Sequence, residues 1–238
     1  MIGKYKRLWG APPTLKSSYD AVIIGGGLHG LATAYFLARD HNLSNVAVIE
    51  KRYIGFGGAG RNTAIVRANQ RTPENLPLYK EGLALWPVLT QELDFNLMFY
   101  NCGNLNLAHS EAALKAMRLA VGSAQFHGID IEMVDRQQCK ALIPLLDISE
   151  RPRFPIQGGM FHGAGGILRH DAVVWGLAKG AARRGVHIFQ GCEVTGIETE
   201  AGKVTAVTTD QGTIHTPRVL NAAGGYSADI SYRLAGIK

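Results

Sequence analysis

Three glycines at fixed spacing are the first residues in this sequence that suggest a specific chemistry. Gly25, Gly27 and Gly30 lie in the segment GGGLHG, between the apolar run DAVII at 20–24 and the helical pattern LATAYFLARD at 31–40. In such a strand–turn–helix unit, one glycine makes the tight bend, one admits a pyrophosphate against bare backbone, and one lets helix and strand pack closely. The N–H groups at the start of the helix favour the negative charge of phosphate.

An acidic residue follows the next predicted strand. Residues 46–49 form a second apolar run, and Glu50 comes directly after it, 20 residues beyond Gly30. A carboxylate at this place can accept hydrogen bonds from the adenosine ribose hydroxyls, and its charge disfavours a 2′-phosphate. The pattern therefore predicts binding of NAD or FAD, which share it. An ordinary strand–turn–helix–strand unit without a nucleotide is the weaker alternative.

A second glycine-rich segment follows Glu50. It contains Gly55, Gly57, Gly58 and Gly60, which permit a loop that folds back over a bound cofactor. Side-chain donors end this loop: Arg61, Asn62 and Thr63. The arrangement resembles flavoproteins of the D-amino acid oxidase and sarcosine oxidase superfamily, in which this loop approaches the pyrophosphate and the flavin.

The pattern of predicted elements indicates an α/β chain. Helical and strand-like segments between 73 and 158 do not repeat as βαβ units, so we expect an inserted α+β substrate domain there. Flanking it, 18–72 and 159–238 are expected to form a Rossmann-like FAD-binding domain, a β-sheet with helices and a small second β layer. Residues 1–17 are expected to form an N-terminal arm. The resemblance implies that this fold is incomplete at its C-terminus.

One histidine lies where a loop enters an apolar helix. His170 precedes Val174, Leu177, Ala178 and Ala181, whose spacing predicts a helix over 171–185. Most lone histidines at such positions are turn residues, and the residues alone favour that interpretation.

Longer segments carry a closer resemblance. SYDAVIIGGGLHGLATAYFLA, GRNTAIVR, LNLAHS, RFPIQGG, HDAVVWGLA and CEVTGI together resemble the β subunits of heterotetrameric sarcosine oxidases, over nearly all 238 residues. This resemblance implies noncovalent FAD and an FMN bonded covalently to His170. It implies oxidative demethylation of sarcosine, with electrons passing from FAD to FMN and then to oxygen. The implied partners are sarcosine or a related secondary amino acid, oxygen, an optional folate acceptor, and α, γ and δ subunits.

The same resemblance places a set of residues against the cofactors and leaves the catalytic residues unassigned. The full set of expected cofactor-binding residues is Gly25, Gly27, Leu28, His29, Gly30, Glu50, Gly58, Arg61, Asn62, Thr63, Ile65, His170, Val174, Val194 and Gly224.

Composition excludes other classes. The net charge of +6 is not gathered into a basic tract, so we expect no nucleic-acid partner. Three scattered cysteines without a CxxC pair argue against a disulfide framework and a metal site. No apolar run is typical of a signal peptide or membrane helix, so we expect a cytoplasmic protein. Two alternatives stay open: a single-flavin amino acid oxidase or dehydrogenase, such as a glycine oxidase or proline dehydrogenase, and a catalytically silent flavin-binding or assembly fragment.

Overall fold

The computed structural model describes residues 13–69 and 72–237. Most of the expected N-terminal arm, residues 1–12, therefore lies outside the described chain. The strands are β1 Ala21–Ile24, β2 Val46–Glu50, β3 Ile65–Val66, β4 Asn104–Ala108, β5 Glu132–Val134, β6 Gly158–His162, β7 Gly166–Ile167, β8 His187–Gln190, β9 Val194–Glu200, β10 Lys203–Thr209, β11 Gly212–His215 and β12 Val219–Asn221. The helices are α1 Leu28–Asp40, α2 Leu76–Glu92, α3 Glu111–Phe126, α4 Arg136–Leu142, α5 His170–Ala182 and the single turn α6 Ser227–Asp229.

The described chain divides into two compact units. The first comprises residues 13–63, 93–97 and 170–237, and the second comprises Ala64–Glu92 and Met98–Arg169 without residues 70 and 71. Most of the expected substrate domain, 73–158, belongs to the second unit, and its role as a substrate domain stays a prediction.

A parallel sheet forms the centre of the first unit. Its strand order is β12-β1-β2-β8, and each neighbouring pair is parallel. The segments AVII and VAVIE are nearly continuous apolar runs, as is typical of parallel strands that are covered on both faces. Helix α1 connects β1 to β2, and α5 precedes β8. The expected α/β fold class with a parallel sheet is confirmed.

The two faces of this sheet are covered differently. An antiparallel layer, β11-β10-β9, provides the small second β layer that the sequence predicts. A buried apolar cluster joins sheet and layer; it contains Tyr19, Val22, Ile24, Ala47, Ile49, Phe189, Cys192, Val194, Val207 and Ile214. Because side chains alternate along a strand, Ile23 points to the opposite face, where α1 lies. A Cβ on Gly30 of α1 would be 3.3 Å from Cγ2 of Ile23.

A short segment that sequence order places between α2 and β4 completes the first unit. Leu93 and Leu97 in this segment are 1% and 0% exposed. They lie against glycines of α5, because a Cβ on Gly176 would be 3.1 Å from Leu97 Cδ2 and a Cβ on Gly180 would be 2.6 Å from Leu93 Cδ2. The glycines in α5 therefore make room for the two leucines.

The second unit contains antiparallel strands and helices. Strands β4-β6-β5 form one sheet, and β3 pairs with β7. Its apolar cluster contains Ala68, Leu76, Val121, Ala124, Ile129 and Ile131. His162 is 1% exposed, and its two ring nitrogens lie 2.7 Å from the carbonyl oxygen of Asp130 and 3.3 Å from the amide nitrogen of Ala68.

The predicted helix limits differ from the observed ones by one to three residues. Helix α1 begins at Leu28 instead of Leu31, because the end of the glycine turn already has helical backbone. Helix α5 ends at Ala182 instead of Gly185, since Gly185 has a φ of +92° and turns the chain towards β8. Among the residues that the structure describes, no helix has the length and apolar character needed to cross a membrane.

Candidate functional site

The glycine turn between β1 and α1 has no room for a side chain at two of its three spaced glycines. Gly25 has a φ of +113°, and a Cβ there would lie 2.4 Å from the carbonyl oxygen of Ala222. A Cβ on Gly30 would lie 2.0 Å from the carbonyl oxygen of Gly25. Gly27 differs, since the nearest heavy atom to its Cβ position is Ala59 Cβ at 4.0 Å. Two glycines thus permit close packing, and the third has bare backbone whose Cβ position meets a single heavy atom, at ordinary contact distance.

The start of α1 carries no side chain that would compete with a bound anion for the first N–H groups of the helix. Gly27 is the N-cap and offers no side-chain hydrogen bond, and the first turn of this 13-residue helix contains no acidic residue. Leu28 is partly buried and His29 is exposed in that turn. The first N–H groups of a helix have no partner within the helix and carry partial positive charge. This turn can therefore receive an anion without displacing a cap.

Glu50 is bonded to the glycine turn. One carboxylate oxygen accepts a hydrogen bond from the amide of Gly26 at 2.8 Å, and the other accepts one from the amide of Arg52 at 2.8 Å. A Cβ on Gly26 would lie 2.9 Å from Cβ of Glu50, so this glycine also lacks space. A carboxylate has about four lone-pair sites, so two remain for the hydroxyls of a ribose.

The loop after Glu50 folds back onto the turn. The amide of Gly55 donates to the carbonyl of Gly26 at 2.9 Å, and the amide of Ile54 donates to Oε1 of Gln190 at 2.8 Å. Gly58 opens the short 3₁₀ turn Gly58–Gly60, and a Cβ on Gly58 would meet no heavy atom within 4 Å. Asn62 donates to the carbonyl of Ala59 at 2.8 Å, which closes the loop.

His170 is the first residue of α5, as the sequence predicted to within one position. Its side chain is partly buried, and Nδ1 is enclosed without a hydrogen-bond partner. Val174 lies four residues further, on the same helix face, and its Cγ1 is 3.3 Å from the Cβ position of Gly55. The 3₁₀ turn Gly58–Gly60 also packs against α5. His170 therefore lies on the face of α5 that carries the glycine loop.

The other expected residues lie further from the turn in sequence. Val194 begins β9 and is 8% exposed, within the apolar cluster beneath the sheet. Gly224 has a φ of +60° and begins the turn after β12, two residues beyond Ala222, whose carbonyl meets the Gly25 position. Arg61 and Thr63 are exposed at the end of the glycine loop. Ile65 belongs to the second unit, where it pairs with Ile167.

Comparison with known proteins identifies the family. The family model described as FAD dependent oxidoreductase, DAO, matches residues 20–237. The chain belongs to the FAD-dependent oxidoreductase family.

Within this family, the chain is similar to proteins of known name. It is 46% identical to the sarcosine oxidase subunit beta of Rhizobium meliloti (strain 1021), with 95% of this chain and 54% of that protein covered. It is 42% identical to the sarcosine oxidase subunit beta of Arthrobacter sp, with 97% and 56% covered. Its structure resembles that of L-proline dehydrogenase from P.horikoshii, with a TM-score of 0.87, 28% identity, and 94% and 57% covered. The chain spans about half the length of the relatives it matches.

The residues of the first unit fit the dinucleotide of an FAD-dependent oxidoreductase. The bare backbone of Gly27, the uncapped start of α1 and the spare acceptor sites of Glu50 match a pyrophosphate and a ribose. The sequence predicts the loop glycine Gly55 but did not single out Gly26, which joins both Glu50 and the loop to the turn. The run of three glycines at 25–27 was the available signal. In the described part of the chain, no group of three or more His, Cys, Asp or Glu side chains could hold a metal ion.

Proposed function

We propose that the chain binds FAD noncovalently across the Gly25–Gly30 turn and contributes to the oxidation of sarcosine or a related secondary amino acid. The observation that carries this proposal is the bonded arrangement of Glu50, Gly26 and Gly55 around the bare backbone of Gly27. The similarity to two sarcosine oxidase β subunits supports the choice of substrate.

The proposed reaction consumes sarcosine, water and dioxygen and yields glycine, formaldehyde and hydrogen peroxide. When bound, the flavins supply the acceptor for the two electrons that leave the N-methyl group and pass them on to oxygen. A folate can take the one-carbon unit in place of its release as formaldehyde. The chain's own residues bind and orient the dinucleotide, while the residues that contact the substrate stay unassigned.

We further propose that His170 carries the FMN covalently. Because Nδ1 is enclosed, Nε2 is the ring nitrogen that would hold the flavin. The new bond would replace one hydrogen on each partner, and dioxygen would take up both hydrogens and two electrons as hydrogen peroxide. The position of His170 beside the glycine loop supports this role, since Val174 on the same face packs against Gly55.

Acid precipitation of the flavin-loaded chain tests the covalent bond. Noncovalent FAD should stay in the supernatant, whereas the pellet of the wild-type protein should remain yellow. His170→Ala should give a colourless pellet, and the exposed His41→Ala in the same unit should behave as wild type. Release of all flavin from the wild-type protein, assembled with its partner subunits, would contradict covalent attachment.

The β-subunit relatives support partners for this chain. We propose that it assembles with α, γ and δ subunits in a reducing, cytoplasmic compartment, consistent with three cysteines that are all free. Sarcosine turnover by the chain with these subunits, compared with the chain alone, measures their contribution.

One other function has specific support, and a second stays open from the sequence. The likeness to an L-proline dehydrogenase favours a single-flavin amino acid dehydrogenase, in which His170 is a turn residue. The second is a catalytically silent flavin-binding or assembly fragment. A colourless acid pellet with amino acid turnover identifies the first, and FAD binding without turnover in the assembled complex identifies the second.

A further inference from the structure

Two arginines share one aromatic ring in the glycine loop. The guanidinium carbon of Arg52 lies 4.4 Å from the ring centroid of Phe56, and that of Arg61 lies 4.3 Å from the same centroid. The ring of Tyr53 packs edge-on against Phe56, with centroids 5.1 Å apart. We name Arg52, Tyr53, Phe56 and Arg61 the cation–aromatic cluster. A guanidinium group over an aromatic face is attracted by the negative face of the ring, so Phe56 restricts where both side chains point.

Among the residues that the structure describes, the two charges of the cluster have no acidic partner. Neither guanidinium group forms an ion pair or hydrogen bond with another residue in the described ranges 13–69 and 72–237. Other exposed arginines differ, since Arg183 pairs with Asp94 and Arg233 pairs with Asp229. Like charges held close to one ring repel each other, and an anion that contacts both guanidinium groups offsets that repulsion.

Backbone hydrogen bonds place the cluster next to the turn. The amide of Arg52 donates to Glu50, and the carbonyl of Arg52 accepts from Gly191 at 2.7 Å. On the other side, Gly55, which precedes Phe56, donates to Gly26. The backbone segment that carries Arg52 and Phe56 is therefore joined at one end to the acid that is expected to hold the ribose and at the other to the turn that is expected to hold the phosphates.

We propose that Phe56 is a positioning residue that aims Arg52 and Arg61 at the pyrophosphate of the bound dinucleotide. Arg52 is then a phosphate-binding residue in addition to Arg61. The inference rests on the proposed FAD binding and adds which side chains supply the positive charge that binds the pyrophosphate. Neither the start of α1 nor Glu50 provides a full positive charge, and a pyrophosphate carries two negative ones.

ADP and adenosine are the probes that test this role, because they share the adenosine and differ in the pyrophosphate. Their affinities for the flavin-free full chain are measured by calorimetry at low and high salt. Arg52→Gln and Phe56→Leu should each weaken ADP binding about tenfold, the loss of one charge-assisted hydrogen bond, and leave adenosine binding unchanged. The salt dependence of ADP binding should also fall, since one charge contact is lost.

Conservative and distant variants separate positioning from folding. Phe56→Tyr keeps the ring and should retain wild-type affinity for ADP, and Arg183→Gln, outside the cluster, should do the same. If Phe56→Leu does not fold, Arg52→Gln and Arg61→Gln give the same test, because both side chains are exposed.

The outcomes distinguish this inference from the proposed function. An unchanged ratio of ADP to adenosine affinity in Arg52→Gln and Phe56→Leu overturns the role of the cluster, while tight wild-type binding of FAD leaves the proposed function intact. A wild-type chain that binds neither ADP nor FAD overturns both.

Discussion

The carboxylate of Glu50 and the backbone amide of Gly26 are joined by a hydrogen bond of 2.8 Å. The acid that is expected to bind the ribose therefore also holds the glycine turn in place. This double role links the shape of the turn to the recognition of the nucleotide.

Replacing Glu50 by glutamine should weaken FAD binding by about tenfold, because a hydrogen bond to a charged acceptor contributes roughly 1.5–3 kcal/mol and the neutral amide retains only part of it. Flavin fluorescence titration of the flavin-free chain measures the change. The matched control is Glu193→Gln, which removes an exposed ion pair with Lys51 and should leave FAD affinity unchanged. Equal affinity of Glu50→Gln and wild type would contradict the role of the carboxylate.

Gly30→Ala should destabilise the protein by roughly 1–3 kcal/mol or more, because the added Cβ meets backbone that has no room to move. That Cβ would lie 2.0 Å from the carbonyl oxygen of Gly25. Urea denaturation reports the change in the free energy of unfolding. Gly122→Ala in α3 is the control, since its Cβ meets no heavy atom within 4 Å. The control should gain roughly 0.5–1 kcal/mol from helix propensity. A stable Gly30→Ala protein would show that the turn is looser than described.

The pair of Tyr19 and His187 predicts a pH dependence of stability. Tyr19 Oη lies 2.8 Å from Nδ1 of His187, and burial, followed by the charge of Lys16, lowers the pKa of His187 below its usual 6.5. Because folding lowers the pKa of His187, the neutral imidazole contributes to stability above the pKa that this residue has in the unfolded chain. That contribution is lost as the pH falls through the pKa of His187 in the folded protein.

Denaturation midpoints between about pH 7.5 and about pH 5 measure this loss. His187→Gln, which does not titrate, should reduce the loss of stability at the acidic end. The exposed His41→Gln should retain the wild-type slope. An unchanged slope in His187→Gln would assign the pH dependence to other groups.

His162→Phe should destabilise the second unit by roughly 1–3 kcal/mol, because it leaves a buried amide and a partly buried carbonyl without their side-chain partner. These groups belong to Asp130 and Ala68. Hydrogen exchange should show faster exchange at β6 and at the amide of Ala68. His109→Ala, an exposed histidine bonded to the carbonyl of Phe154, is the control and should change little. Wild-type protection of Ala68 in His162→Phe would contradict this role.

Local features of the first unit could be predicted from the sequence. The glycine turn, β1, β2 and Glu50 form one continuous segment, in which the apolar runs and glycines determine the local backbone. The position of His170 at the start of α5 followed from the helical spacing of Val174 and Leu177. These features need no knowledge of distant contacts.

Features that depend on distant contacts could not be predicted. The sequence predicts that Leu93 and Leu97 belong to the inserted domain at 73–158. They pack in the first unit instead, because glycines in α5 leave space for them. The cation–aromatic cluster likewise depends on the conformations of two long, exposed side chains. No local pattern in the sequence specifies that Arg52 and Arg61 meet the same ring.

The pairing of β1 with β12 has a consequence for synthesis of the chain. Val22 pairs with Val219, so the partner of the strand that precedes the glycine turn is synthesised nearly 200 residues later. At 5–20 residues per second, this interval is roughly 10–40 s on the ribosome. During that time the β1 edge of the nascent sheet has no neighbour, so this edge is open to pairing with other chains until β12 has been synthesised.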